Sequence, residues 1–363
     1  VITISLCMIV KNEEQVLSRC LDTVKDLVDE IIIVDTGSTD RTKEIAANYT
    51  THIFHFDWID DFSAARNYSF RHAAGDYILW LDADDWLQES DQEKFKALKQ
   101  TLDPNVDSVC MDYYVAFDPL GQPTAVIKRN RLVKRSRQFQ WHDPVHEQLE
   151  VEGRIIFADI AVSHGRVHTN TERNLSIYEG LLAQGGILSS RQLLQYAMEL
   201  TANGYYEKAI GIYQTIISDP TSYFEDKLQS CDRMAHCNHE LGNKEQELQS
   251  LLKTFNYDIP RADYVCRIAY YFQENSDFEK AVCWYQLALK LEKPKKRLFG
   301  MNTMAWTWFP HLQLVACYGK LGQLEQAYEH NEIALSYAPN DPNVLNNKKL
   351  LEAALRKRRS EDA

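Results

Sequence analysis

The sequence predicts an α/β, Rossmann-like domain followed by an all-α domain of helical repeats. Three observations predict it. Strand and helix patterns alternate through the first half of the chain, strand patterns cease near residue 170, and a short motif recurs four times beyond that point. The chain has 363 residues, which suits two domains at roughly 100–200 residues each. The expected domains are therefore 1–170 and 171–363.

Residues 3–10 form an apolar run that reads as a strand. KNEEQVLSRCLDTV follows as a helix, with Val16, Leu17, Cys20, Leu21 and Val24 at helical spacing. EIIIVD is a continuous apolar run, as a parallel strand buried on both faces requires. TGST turns the chain, and Ser38 or Thr39 can cap a helix running through Ile45 and Ala46. THIFHF is a third strand, FSAARNYSFRHAA a helix, and YILWLDADD a fourth strand that ends in acid. This order predicts a doubly wound sheet with ligands outside the carboxyl ends of its strands. After Asp107 the pattern changes. SVCMDYYVAF and AVIKRNRLVKR read as antiparallel strands around the turn DPLGQP, and FADIAVSHG as another strand. The basic run KRNRLVKR reads as the solvated face of an edge strand or as a surface for phosphate.

In the second half, GYYEKAIGIY, GNKEQELQSL, SDFEKAVCWY and GQLEQAYEHN align, starting at residues 204, 242, 276 and 322. Ala209, Ala281 and Ala327 share one position, where Glu247 stands in the degenerate second copy. A small alanine lets two helices approach, an aromatic four residues later fills the groove, and Pro220, Pro294 and Pro339 stop the second helix. The long last spacing implies a loop inserted in KPKKRLFGMNTMAW. This periodicity resembles the tetratricopeptide repeat.

The net charge of −12 argues against nucleic-acid binding through bulk charge. Residues 1–170 hold most of it, with 18 Lys and Arg against 28 Asp and Glu. No apolar stretch reaches the ~18 residues of a membrane-spanning helix. The chain opens directly on a strand pattern without a basic leader, which predicts that it is not a secretory precursor. The eight cysteines form no CxxC pair and mostly lie in apolar runs, so reduced, buried thiols and a cytoplasmic location are expected. Cys231, His236, Cys237 and His239 fall in one helical pattern, which spreads them around its circumference and argues against zinc.

Chemistry concentrates at the carboxyl ends of the first-half strands. Asp82, Asp84 and Asp85 crowd three carboxylates at the end of a buried strand, and a divalent cation such as Mg²⁺ or Mn²⁺ would relieve their repulsion. Asp35 ends the second strand and can accept from a base or ribose; Asp40 reads equally as a ligand contact or a helix cap. Asn12 and Glu13 end the first strand at the same edge. Arg66, followed by Asn67, has the fork geometry for a diphosphate, or pairs with Asp60 or Asp61 at the surface. WHDPVHEQL packs His142, Asp143, His146 and Glu147 together, which suggests a general base or a metal site. Read as a strand, it turns His146 and Glu147 to opposite faces. His164 ends the strand FADIAVSHG, and Gly165 allows a close backbone approach there; His168 reads as a surface residue.

CMIVKNEE, IIIVDTGSTDRT, DFSAARNYSF and ILWLDADD together resemble the inverting glycosyltransferases of family 2, which have the GT-A fold. The resemblance covers roughly residues 1–165. With a helical repeat domain following, the chain looks most like the peptide S-glycosyltransferases of the sublancin type, through WHDPVHEQLE, SHGRVH and ERNLSIYEGLL. The resemblance implies a hexosyltransferase of class EC 2.4 that uses a UDP-sugar donor, UDP-glucose or a UDP-N-acetylhexosamine, and Mg²⁺ or Mn²⁺. It implies Asp82 and Asp84 as the DxD acids, with Ala83 between them at the nucleotide, and His164 as a further metal ligand. Glu147 would be the base with His146 beside it, and Asn12, Glu13, Asp35, Asp40 and Arg66 would line the nucleotide. The implied acceptor is Cys, Ser or Thr of a peptide or protein, with the repeats as its platform or as a homodimer surface. A saccharide acceptor of the lipopolysaccharide-core type is the alternative, and a non-catalytic repeat scaffold a third reading, against which the intact Asp82, Asp84, Glu147 and His164 count.

Overall fold

A computed structural model describes residues 1–117, 123–165, 171–294 and 302–361. His168, most of the turn DPLGQP and the middle of KPKKRLFGMNTMAW lie outside these described residues. The chain divides into two compact units, Val1–Ile187 and Leu188–Ala363.

In the first unit, β1 (Ile4–Val10), β2 (Glu30–Asp35), β3 (Ile53–His55) and β4 (Tyr77–Trp80) lie parallel in the order β3-β2-β1-β4. Their apolar runs are continuous because both faces are covered. Leu6 and Met8 pack on one side with Leu17, Leu21 and Phe95, from α1 (Leu17–Val24) and α4 (Glu89–Thr101). Cys7 and Ile32 pack on the other with Phe70 of α3 (Phe62–Arg71). This alternation is the two-residue period of a strand. Between β2 and β3 lies the short α2 (Thr42–Ala46).

The sheet then becomes mixed, as the change of pattern after Asp107 predicts. β5 (Asp85–Trp86), β6 (Ser108–Phe117), β7 (Pro123–Lys134) and β10 (Ile155–His164) complete it in the order β4-β7-β6-β10-β5. β7 runs antiparallel to both β4 and β6. The basic run KRNRLVKR therefore sits on an interior strand, and the edge-strand expectation is corrected. Its consecutive Leu132 and Val133 serve opposite faces, one in each core cluster.

The helix expected from Lys11 begins at Leu17 instead, because the backbone before it bonds to a neighbouring loop and Asn12 takes a left-handed φ of 57°. A short ribbon of β8 (Trp141–His142) and β9 (Gln148–Leu149) brackets residues 143–147, which are a bend and not a strand. The last helix of this unit is α5 (Thr171–Ala183). The expected boundary at residue 170 assigns α5 to the repeats, whereas it falls within the first compact unit. Its Arg173 lies over the Phe62 ring, 4.7 Å from the centroid, and its Tyr178 stacks near His146.

The second unit is helical among its described residues: α6 (Ser190–Ala202), α7 (Tyr206–Ser218), α8 (Phe224–Glu240), α9 (Lys244–Lys253), α10 (Ala262–Glu274), α11 (Phe278–Ala288), α12 (Trp308–Lys320), α13 (Leu324–Tyr337) and α14 (Pro342–Glu361). The four aligned motifs open at the turns before α7, α9, α11 and α13. Gly204, Gly242, Ser276 and Gly322 all have φ between 61° and 79°, so the first position of the motif is a left-handed helix end that favours glycine. Ala209, Ala281 and Ala327 are fully buried, as close helix approach requires. Glu247, at the same position, is buried too and takes a bond from His239 Nδ1 at 3.2 Å. The groove-filling Tyr213 and Tyr285 are fully buried, while Asn331 occupies that position in the last copy.

Candidate active site

The loop between β4 and β5 gives its three aspartates different neighbours. Asp85 is fully buried. Its Oδ2 accepts from the Asp82 N–H at 3.0 Å and lies 3.0 Å from Nη2 of Arg131, and its Oδ1 accepts from the Tyr113 hydroxyl at 2.9 Å. Arg131 is itself fully buried, with its guanidinium 3.9 Å from the Trp80 centroid and 4.3 Å from that of Tyr113. Asp85 is thus the anchor that shapes the loop.

Asp84 and His164 keep open faces, each side chain being 20% exposed, with Asp84 Oδ1 3.4 Å from His164 Nδ1. Burial alone disfavours the imidazolium, but bonds and charge from Asp84 and Asp85 outweigh it and push the His164 pKa up to about 10. Donor atoms of Asp84, Asp85 and His164 gather within 4.8 Å of one another. A divalent cation entering there would displace the His164 proton, and a carboxylate oxygen and an imidazole nitrogen on partly open side chains would then suit it. Asp82, expected as a direct ligand, falls outside this cluster and turns to Arg66. Gly165 makes the close approach its position suggests: its N–H donates to the Asp84 carbonyl at 2.9 Å, and a Cβ there would meet the Arg19 guanidinium at 2.5 Å and Trp86 at 2.7 Å.

Arg66 is buried and pairs with neither Asp60 nor Asp61. Its Nη2 donates to Asp82 Oδ1 and its Nε to Glu147 Oε1, each at 2.7 Å. The guanidinium is held between Trp80 and Trp141, 5.1 and 4.8 Å from their centroids. Burial works against the Asp82 charge, but Arg66 and Arg131 overcome it and hold this carboxyl below its usual range. The bend carrying His146 and Glu147 is fixed from α3: Asn67 bonds both the N–H and the carbonyl of Trp141, and the Phe62 N–H donates to Pro144 at 2.8 Å. His146 has a φ of 56°, so the opposite-faces argument from a strand does not apply. Both His146 and Glu147 line the cavity.

The expected nucleotide residues divide. Asn12, Asp35 and Asp40 lie outside the lining of the cavity and bond the backbone of the neighbouring loops. Asn12 Oδ1 accepts from the Thr39 N–H, Asp35 from the N–H groups of Gly37 and Ser38, and Asp40 from those of Glu14 and Thr42. Arg41 holds the N-cap position of α2 without a side-chain cap bond, so neither Ser38 nor Thr39 caps it, and Asp40 Oδ1 accepts from the N–H of Thr42 beside it. Glu13 reaches the cavity, and its pKa is raised to about 7, chiefly by burial and then by the charges of Asp84 and Asp82.

The cavity holds about 320 Å³ and joins Glu13, Arg66, Asp82, Ala83, Asp84, His146 and Glu147. Sequence reasoning missed several of its walls: Lys11, Thr36, Trp58, Phe62, Val145, Arg173 and Asn174. Phe62 lay inside a motif already singled out. Arg173 and Asn174 lie in ERNLSIYEGLL, a segment whose resemblance implies no role for either. Arg131 was hidden in a run that charge alone assigns to solvent.

Residues 5–150 match the sequence model of glycosyl transferase family 2. The chain carries a family 2 glycosyltransferase domain. The first unit has the GT-A fold, and the second is tetratricopeptide-like. A TPR repeat-containing protein of Synechococcus elongatus is 40% identical over 40% of this chain and 35% of its own length. The SPbeta prophage-derived glycosyltransferase SunS of Bacillus subtilis is 27% identical over 50% of this chain and 45% of its own. The chain thus spans less than half the length of these relatives. Part of a TPR repeat-containing protein from Cytophaga hutchinsonii is 17% identical, covering 52% of this chain and 67% of its own, with a TM-score of 0.43. No helix among the described residues is long and apolar enough to cross a membrane.

Proposed function

We propose that this protein is a metal-dependent inverting glycosyltransferase that moves a hexose from a UDP-sugar to Cys, Ser or Thr of a peptide or protein. The observation that carries the reading is the meeting, in the lining of one cavity of a family 2 domain, of Asp84, whose neighbour His164 lies behind that lining, with Glu147 and its partner Arg66. The acceptor sulfur or oxygen attacks the anomeric carbon. The bond from that carbon to the diphosphate oxygen breaks, and its electron pair leaves with the diphosphate. Mg²⁺ or Mn²⁺, held by Asp84 and His164, would neutralise the charge developing there. Glu147 takes the acceptor proton on Oε2, while Arg66 holds Oε1.

The choice of a peptide acceptor is supported by the resemblance to the sublancin type and by a helical repeat unit suited to extended ligands. Action in the cytoplasm belongs to the same proposal and suits eight unpaired thiols. The test is incubation with UDP-glucose or UDP-N-acetylglucosamine, Mn²⁺, and peptides containing Cys, Ser or Thr, read by mass spectrometry. A hexose or N-acetylhexosamine mass on peptide, β-linked when the donor is α, supports the reading. Transfer only to a saccharide would replace the acceptor, and release of no UDP under any condition would overturn the reading.

A further inference from the structure

We propose that Arg173, in the first turn of α5, is a donor-binding residue that holds the diphosphate of the nucleotide-sugar. The inference rests on the transferase reading above. Arg173 lies beyond the family 2 match, which ends at residue 150, yet it lines the same cavity as Asp84 and Glu147.

The first turn of a helix disfavours positive charge, so the helix itself gives no reason for an arginine there. The reasons lie across the cavity. The guanidinium rests over the Phe62 ring at 4.7 Å, and the Phe62 backbone is pinned to Pro144. Glu13 feels the charge of Arg173 together with the charges of Asp84 and Asp82. The arginine and the candidate cation site therefore act on one common neighbour.

Charge balance then assigns the ligand. Four carboxylates line the cavity, Glu13, Asp82, Asp84 and Glu147, against Lys11, Arg66 and Arg173. Arg66 already bridges Asp82 and Glu147 and is clamped between two indoles, so its fork does not turn toward a ligand. A diphosphate entering this acidic cavity is matched by a planar fork of donors, which Arg173 presents on the cavity wall; Lys11, exposed like Arg173, offers a point charge. As the anomeric bond breaks, the electron pair stays on the diphosphate oxygen, and Arg173 donates hydrogen bonds to that group without losing a proton.

The test measures binding of UDP and of UMP, in Mn²⁺, to the full chain and to its Arg173→Gln and Arg173→Lys variants, with circular dichroism as a check on folding. The expected result is a loss of roughly 10–100-fold in UDP affinity for Arg173→Gln, the size of a lost charge-assisted contact. UMP affinity should change by less than about threefold, since the contact sought is to the second phosphate, and Arg173→Lys should fall between. Unchanged UDP affinity in Arg173→Gln overturns the inference while the transferase reading stands. Equal losses for UDP and UMP also overturn it, because the contact would then not be the second phosphate. A wild-type protein that binds neither nucleotide overturns the transferase reading, and the inference with it.

Discussion

Two carboxylates that look alike in the sequence have opposite duties. Glu147 faces the cavity as the proposed base, with Arg66 on one of its oxygens. Glu147→Gln keeps that acceptor oxygen and removes the charge. It should cut kcat by ~10²-fold or more on a hydroxyl acceptor with little change in donor affinity. His146→Asn should cost less, since asparagine tolerates the positive φ of that position. A dead His146→Asn beside a nearly normal Glu147→Gln, in kcat measured across pH 5.5–9, would reverse the assignment. Asp85, by contrast, is an internal counter-ion. Asp85→Asn leaves Arg131 buried without its partner and should lower stability by about 3–5 kcal/mol in urea unfolding. Adding Arg131→Met to Asp85→Asn should recover much of that loss. A single variant that unfolds like the wild type would show that the pair is not structural.

At the scale of elements, the helices of the repeat unit carry a pH-sensitive contact. His311 on α12 and His330 on α13 bring their Nδ1 atoms to 2.8 Å, with Tyr318 stacked on His330. Burial, and then the neighbouring imidazole, push the His311 pKa down to about 4. An imidazole with a depressed pKa binds its proton more readily in the unfolded chain. Stability from this pair is therefore whole above pH ~6.5 and declines as pH falls toward 4. His311→Gln should flatten that decline, as thermal unfolding at pH 4.5, 5.5 and 7 would show; an equal slope in both proteins contradicts the pair's role. The elements themselves were largely legible in the sequence. β1, β2 and β4 announce themselves as apolar runs, and the repeat motif marks each left-handed turn at Gly204, Gly242, Ser276 and Gly322. The legibility stops where tertiary bonds override local pattern. The backbone of residues 12–14 bonds to side chains of the β2–α2 loop and of Thr42 in α2, which delays α1, and Arg131 is buried against Asp85 from a strand that charge alone sends to the edge. In the site, Asp84, His164 and Glu147 were readable from motifs. Arg173 was not, because its partners Phe62 and Glu13 are distant in sequence and only the fold brings them near.

At the scale of the molecule, the proposed function assigns the chemistry to the first compact unit and the acceptor to the second. A chain ending at Ile187 keeps α5 and every residue that lines the cavity. It should fold and bind UDP in Mn²⁺ but fail to glycosylate a macromolecular acceptor. Transfer at the native rate by this shortened chain would remove the platform role from the repeats. The central claim concerns the first unit, where Asp84 and His164 are proposed to hold the cation that receives the donor diphosphate. Calorimetry of UDP binding, in Mn²⁺ and in chelator, tests it most directly. Wild-type protein should bind UDP at least ~10-fold more tightly with Mn²⁺, a difference of about 1.4 kcal/mol, and Asp84→Ala should lose that difference while keeping its fold. Equal UDP affinity with and without the cation in the wild type would contradict the account.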